Sequence, residues 1–460
     1  MPDSTQTRLA ALLAAAPGRW LTGADRPAAA RVDWSGGEGQ MPLAVARPES
    51  AAEAAAMLAA CDRLGQGVVP QGGMTGLAGG AVPRAEDIAI ATDRMAGIEH
   101  IDRESGTVTL RAGTILSEAQ AACAAEGWLL PIDLGARDSC RVGGCIATNA
   151  GGQRVMRYGS TRANLLGIEA ALPSGEVVGD LRGQIKDNTG YHLPGLFCGA
   201  EGTLGLVTRA VVRLHPLPAG RLTALCGLAD FDAVLALLAL ARRGLPRLSA
   251  FEVMWGAHFA FSANLLNARP LAEMPAFAVI LETETDGSEA EAGHFQSLLE
   301  QAFEAGTIAD AALPQSEREL RAIWEIREGL GMDDQLPGLV NLDISAPASR
   351  LGRLAETARE RLEAALPGIT VLIYGHLGDG NLHITAAQPG FGADFAHRVD
   401  EVVYPLVAAE GGSISAEHGI GTHKRDWLHL MRSPAELALM RRIKAAFDPN
   451  GIMNPGKLLP

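Results

Sequence analysis

Apolar and polar positions follow two periods along this chain, and the switches between them mark out its elements. Residues 50–63 (SAAEAAAMLAACDR) carry apolar side chains at helical spacing, with Gly65 and Gly67 after them. This predicts a helix and then a strand opening at Val68 and Val69. Strands are expected at 88–92 and 107–111, followed by a helix through 115–125 that Gly127 ends. A hairpin is expected across 166–178, turning at Pro173, Ser174 and Gly175. The run LHPLPAG at 214–220 gathers two prolines and a glycine, which predicts a domain boundary. Beyond it the pattern predicts strands at 251–254, 277–284, 340–344, 370–374 and 382–385, separated by helices near 230–243, 288–305 and 349–365. Helices beside a mostly antiparallel sheet define an α+β domain. The tail, 434–460, reads as a helix and then FDPNGIMNPGKLLP, a segment expected to pack back on the first domain.

A chain of 460 residues is too long for one ordinary core, so two or three domains are expected: 1–215, 216–425 and a C-terminal segment 426–460. Hydrophobic residues at 47% with charged residues at 20% describe a globular chain that folds throughout. The purely apolar run 234–241 is far short of a bilayer span, so an integral membrane protein is not expected. The apolar stretch 9–16 follows Asp3 and has only Arg8 for positive charge, which reads as a surface helix rather than a secretory signal. Six scattered cysteines without a Cys-x-x-Cys spacing suggest buried thiols in a reducing, cytoplasmic setting. The formal net charge of −14 opposes nucleic acid as a partner.

The chemistry begins with glycine. Residues 72–76 (GGMTG) lack the side chains that would keep backbone amides from converging on a diphosphate. No G-x-G-x-x-G follows a predicted strand, which argues against a nicotinamide-binding Rossmann domain. The G-x-x-x-x-G-K spelled by Gly451 to Lys457 lacks the Ser/Thr of a P-loop and has no helix after it. Two further glycine-rich runs, RVGGCIATNAGG at 141–152 and GAEGTLGLVT at 199–208, suggest backbone wrapped around a long ligand.

In the second half, YGHLGDGNLH (374–383) has hairpin-turn composition between two strand-like stretches, which brings His376 and His383 together. Glu417, in SAEHG, offers a third donor. Two histidines and a glutamate form a recurring catalytic zinc set, although ordinary hydrogen-bonded histidines would give the same pattern.

The stretches PQGGMTGLAGG, PIDLGARDSCRVGGCIATNAGG, YGSTRANLLGIEAALPSGEVV, KDNTGYHL and AEGTLGLVT cover most of 40–215 and resemble the FAD-binding oxidases and dehydrogenases of the vanillyl-alcohol oxidase and p-cresol methylhydroxylase type. The resemblance implies an α+β fold: a two-part FAD-binding domain, an α+β substrate domain with an antiparallel sheet, and a C-terminal helical segment. It implies that Gly72, Gly73, Met74, Thr75 and Gly76 hold the FAD pyrophosphate. Pro131, Gly135, Ser139, Gly144, Asn149, Gly151, Gly152, Glu201, Gly202 and Val207 would line the rest of the flavin. Some relatives tether flavin through a histidine in this loop; Met74 and Thr75 stand here instead, so FAD is expected to be held non-covalently.

The second half is similar to D-2-hydroxyglutarate and D-lactate dehydrogenases and the glycolate oxidase flavin subunit. That similarity implies a divalent metal, expected to be zinc, on His376, His383 and Glu417, with His418 as base. Arg327, in WEIRE, falls on a substrate-carboxylate position, where a surface salt bridge is the plain alternative. Dicarboxylate-using relatives carry lysine at Asn341, asparagine at Thr385 and threonine at Gly331, so a smaller or less charged 2-hydroxy acid is expected at a site including Asn341, Thr385 and His418. The implied activity is FAD-dependent D-2-hydroxy acid dehydrogenation. Glycolate or D-lactate dehydrogenation and a non-redox flavoenzyme of the same fold are the alternatives. No iron–sulfur or haem ligand spacing occurs, so an external acceptor is expected: electron-transfer flavoprotein, a quinone or a cytochrome.

Overall fold

A computed structural model describes residues 4–36, 39–390, 392 and 394–460. The chain forms two compact units, one of residues 1–152, 158–217 and 417–460 and one of residues 153–157 and 218–416. The first unit is thus closed by the end of the chain.

Its first part is a four-stranded sheet. Ala44–Arg47 and Val68–Gln71 run parallel to Ile88–Ala91 between them, and Arg19–Leu21 pairs antiparallel at one edge. The helix Ala51–Arg63 crosses from the first of these strands to the next. Ser50 caps it by accepting a hydrogen bond from the Glu53 amide, which satisfies one of the orphan donors of its first turn. Its buried face of Ala54, Met57, Leu58 and Cys61 meets Leu12 of the N-terminal helix Ser4–Ala15. That helix is therefore half a core element, and Leu12 is wholly buried.

The second part is an antiparallel sheet of Ile98–Asp102, Thr107–Arg111, Leu206–Arg213, Leu165–Ala171 and Val177–Asp180, in that spatial order. The tail returns to the first sheet as a parallel bridge between Val68 and Met453. Lys444, near the end of the helix Pro434–Phe447, donates to the carbonyls of Thr203 (2.7 Å) and Met453 (2.8 Å) and pairs with Asp448. Asp448 in turn accepts from the amides of Ile452 and Met453.

The second unit is built on a seven-stranded antiparallel sheet with the order Asp310–Ala312, Gly220–Leu228, Phe277–Thr285, Leu248–Trp255, Thr370–His376, Asn381–Ala387, Val340–Ser345. Strand residues alternate between faces. One face, with Phe251, Val253, Ile373, Ile384, Leu342 and Ile344, is apolar and buried. The helices Phe231–Gly244, Ala348–Ala365 and Phe395–Ala409 pack on this sheet. The opposite face is mixed. Met254, Ala278, Ile280 and Leu372 meet the helices Gly256–Leu265 and Glu317–Glu328 through Phe259, Ala263, Ile323 and Ile326. Glu252, Glu282, His376, His383 and Asp343 lie buried beside them. Charged groups placed there need partners, because an unpaired buried ion is costly.

Among the described residues, no helix is long and apolar enough to cross a membrane.

Candidate active site

The glycine-rich residues gather in the first unit. Residues 72–76 follow directly on the strand Val68–Gln71 as an irregular, half-buried loop. Met74 holds the left-handed conformation at φ 58°, unusual for a side chain of its size. The loop leaves Gly73 no room on one side: a Cβ there would stand 2.1 Å from the Ser139 carbonyl oxygen. Pro131, Gly135 and Ser139 lie on the segment before the helix Val142–Thr148, which carries Gly144. At Gly135 and Gly144 an added Cβ would meet nothing within 4 Å, the open backbone that a bound flavin nucleotide requires.

Asn149 ends that helix at φ 51°, and its side-chain oxygen accepts from Ser160 Oγ and the Arg162 amide. Gly151 and Gly152 follow, and a Cβ on Gly152 would collide with the Asp133 carbonyl. Val207 is buried in the strand Leu206–Arg213 at an irregularity in its pairing. Glu201, at φ 49°, turns its carboxylate onto the amides of Ile420 and Gly421, each at 2.7 Å. Burial raises its carboxyl above the usual range, with those two amides pulling the other way. Its neighbour Gly202 has φ 70° and packs against Pro70. Glu201 therefore fastens the return segment of the first unit.

We expect Gly73→Ala to purify largely without FAD, with affinity at least tenfold weaker, because its Cβ would strike backbone that has no rotamer to yield. Titration of apoprotein with FAD measures this.

In the second unit the expected hairpin is present. Thr370–His376 pairs with Asn381–Ala387, with Tyr374 opposite His383. The rings of His376 and His383 have centroids 5.5 Å apart, nearly perpendicular. Next to His376 across the sheet is Glu252. Its Oε1 lies 2.9 Å from His376 Nδ1, and its Oε2 accepts from Arg327 Nε at 2.7 Å.

Arg327 is thus a buried member of a cluster, not a surface ion pair; it is 5% exposed. It comes from the last turn of Glu317–Glu328, a helix that Ser316 caps at one end and Gly329, at φ 65°, at the other. Arg327 Nη2 is nearly equidistant from both nitrogens of His376, at 3.1 and 3.2 Å, which sets it against the ring face. Burial raises the Glu252 carboxyl, but the Arg327 charge, with hydrogen bonds from His376 and Arg327, holds it below the usual range.

His258 stacks on Tyr374 at 4.1 Å. Burial, with the Arg327 charge behind it, pushes the His258 imidazole down to about 3, so it is neutral. Asn341 faces Thr385 on the next strand and reaches the Tyr374 hydroxyl at 3.5 Å. The side-chain oxygens of Asn341 and Thr385 are buried without a hydrogen-bond partner. Gly331 begins the short helix Met332–Gln335 at φ 82°, a conformation that suits glycine.

Asp343, opposite His383, accepts from Asn381 Nδ2 (2.8 Å) and from the Ala416 amide (3.0 Å). Glu417 and His418 are the next two residues along the chain and begin the first unit's return segment. Glu252 and Asp343 were not found from sequence. Their signal was available: each is a carboxylate at a position that strand alternation turns to the same face as the histidines.

Comparison with known proteins places this chain. Residues 217–458 match the family described as FAD linked oxidases, C-terminal domain, and residues 42–179 match the FAD binding domain family. The mitochondrial D-2-hydroxyglutarate dehydrogenase of Bos taurus is 37% identical over 455 residues, spanning 98% of this chain and 83% of its own. The enzyme of the same name from Rattus norvegicus is 35% identical, spanning 100% of this chain and 86% of its own. Among solved structures, p-cresol methylhydroxylase with substrate bound superposes with a TM-score of 0.78 at 15% identity, covering 98% of this chain and 96% of that one. This likeness shows the fold.

The expectation of a cytoplasmic protein is overturned, since these relatives carry mitochondrial names. Free buried cysteines, as all six are here, do not distinguish one reducing compartment from another. The chain belongs to the FAD-linked oxidase family, with the D-2-hydroxyglutarate dehydrogenases among its relatives, and is an FAD-dependent hydroxy acid dehydrogenase of p-cresol methylhydroxylase-type fold.

Proposed function

We propose that this enzyme oxidises a small D-2-hydroxy acid to the 2-oxo acid, using FAD held without a covalent bond and a divalent metal, zinc by its donor types, on His376, His383 and Glu417. The observation that carries the reading is the pair of imidazoles on adjacent strands, 5.5 Å apart, with a buried guanidinium against one of them. Two histidines and a carboxylate suit zinc and leave a position open for substrate. FAD supplies the hydride acceptor, and the metal supplies Lewis acidity towards the substrate hydroxyl.

The chain's own residues do the rest. Arg327 anchors the substrate carboxylate; already held by Glu252, it has little freedom left to lose on binding. His418 accepts the hydroxyl proton, a task that suits an imidazole near neutral pH. Gly72, Gly73, Met74, Thr75 and Gly76 hold the pyrophosphate of FAD, and the open backbone at Gly135 and Gly144 supports this. Asn341 and Thr385 meet the distal end of the substrate with neutral groups, which favours glycolate, D-lactate or a similar acid over a dicarboxylate. Electrons then leave to an external acceptor: electron-transfer flavoprotein, a quinone or a cytochrome.

The test is an anaerobic titration of the purified yellow protein with D- and L-2-hydroxy acids, watching the flavin band. Bleaching by a short D-acid at lower concentration than by D-2-hydroxyglutarate is the expected result. Preference for the dicarboxylate would overturn the role given to Asn341 and Thr385, and a flavin that no acid bleaches would sink the reaction.

A further inference from the structure

We infer that Glu252 is a positioning residue that sets His376 and Arg327 at once, one carboxylate oxygen for each, and so couples metal affinity to recognition of the substrate carboxylate. The inference rests on the roles given above to His376 and Arg327.

Glu252 is wholly enclosed, at 1% exposure, in a strand whose other face is apolar. A carboxylate kept there needs its lone pairs filled. Oε1 sits 2.9 Å from His376 Nδ1 and Oε2 sits 2.7 Å from Arg327 Nε. An ionised carboxylate only accepts hydrogen bonds, so the His376 proton resides on Nδ1 and Nε2 carries the lone pair that a metal would take. A carboxylate behind a metal-binding imidazole fixes the tautomer, aims the ring and strengthens the donor. The other oxygen does for Arg327 what a bound substrate could not do alone: it holds the guanidinium near His376, in register with the ligand set.

The arrangement follows from the fold. Glu252 and His376 are direct cross-strand partners, and Arg327 arrives from a helix end fixed by the left-handed Gly329. Glutamine cannot replace the carboxylate, because its single oxygen serves one partner and its amide presents N–H groups to the other. Aspartate keeps the charge but is one methylene short of spanning both.

The test uses full-length FAD-loaded protein with Glu252→Gln and Glu252→Asp, measuring Zn2+ affinity by competition with a chromophoric chelator, KM for the acid that best bleaches the flavin, and thermal stability. For Glu252→Gln we expect Zn2+ affinity 10- to 100-fold weaker and KM raised about tenfold or more, with FAD content unchanged. Glu252→Asp should lose at least one of the two. Both variants binding Zn2+ within threefold of wild type at unchanged KM would overturn the inference, as would a fall in thermal stability alone. His383→Ala separates this from failure of the underlying reading. If that variant binds Zn2+ as wild type does, the metal site is misassigned, and the Arg327 half is decided by KM.

Discussion

His383→Ala should abolish turnover while leaving the protein yellow. The residues assigned to FAD lie in the first unit and His383 in the second, and the substitution would remove one donor of the proposed metal set while leaving every residue proposed to hold FAD in place. A two-donor set does not hold zinc against competing chelators. We expect flavin reduction slowed by roughly three orders of magnitude or more, since Lewis-acid stabilisation of a developing alkoxide contributes several kcal/mol. Prolonged dialysis of wild type against a strong chelator should reproduce the loss, and added Zn2+ should reverse it in wild type but not in the variant. Stopped-flow reduction with metal analysis of the same samples makes the measurement. Full activity in metal-free wild type would reduce His376, His383 and Glu417 to a structural set.

The second large effect is expected at His418. Removing a positioned general base typically costs two to four orders of magnitude, and His418→Ala should slow flavin reduction by about that factor with FAD and metal both retained. The pH profile separates this from mere disturbance. In wild type the reduction rate should depend on pH, and in His418→Ala that dependence should be lost. The Asp343 carboxylate holds the Ala416 amide, one residue before Glu417, and Asn381 in the hairpin. A near-normal rate in His418→Ala would remove the residue from the proton transfer.

Local chemistry made much of this molecule readable before its structure. The helix at 51–63, the glycine-ended helix at 116–125 and the turn at Gly175 each depend on residues within a few positions, and all three stand where the pattern predicted. The histidine hairpin was legible for the same reason, because Gly380, at φ 87°, and its neighbours specify a turn by themselves. The helix Gly256–Leu265 was not, since its apolar residues circle the axis and leave no stripe to read. The strand Gly220–Leu228 went unseen behind the proline-rich boundary. Of the candidate site, sequence reasoning singled out side chains with recognisable chemistry and passed over the carboxylates beside them. Glu252 and Asp343 acquire meaning from cross-strand partners 124 and 40 positions away, distances at which a sequence gives no register.

Residues 417–460 complete the unit that binds the cofactor, yet they leave the ribosome after the entire second unit has been made. The second unit, apart from the short piece at 153–157, is one uninterrupted stretch and has all its strands in hand by Ala387. The half-built first unit must wait, with Val68 lacking its Met453 partner and Glu201 lacking the amides it holds. Synthesis therefore sets an order of availability: the strands of both first-unit sheets emerge first, the second unit follows, and the contacts that Met453, Ile420 and Gly421 make back to the first unit come after it. A nascent chain stalled just before residue 417 would carry the whole second unit and a first unit without the partners of Val68 and Glu201.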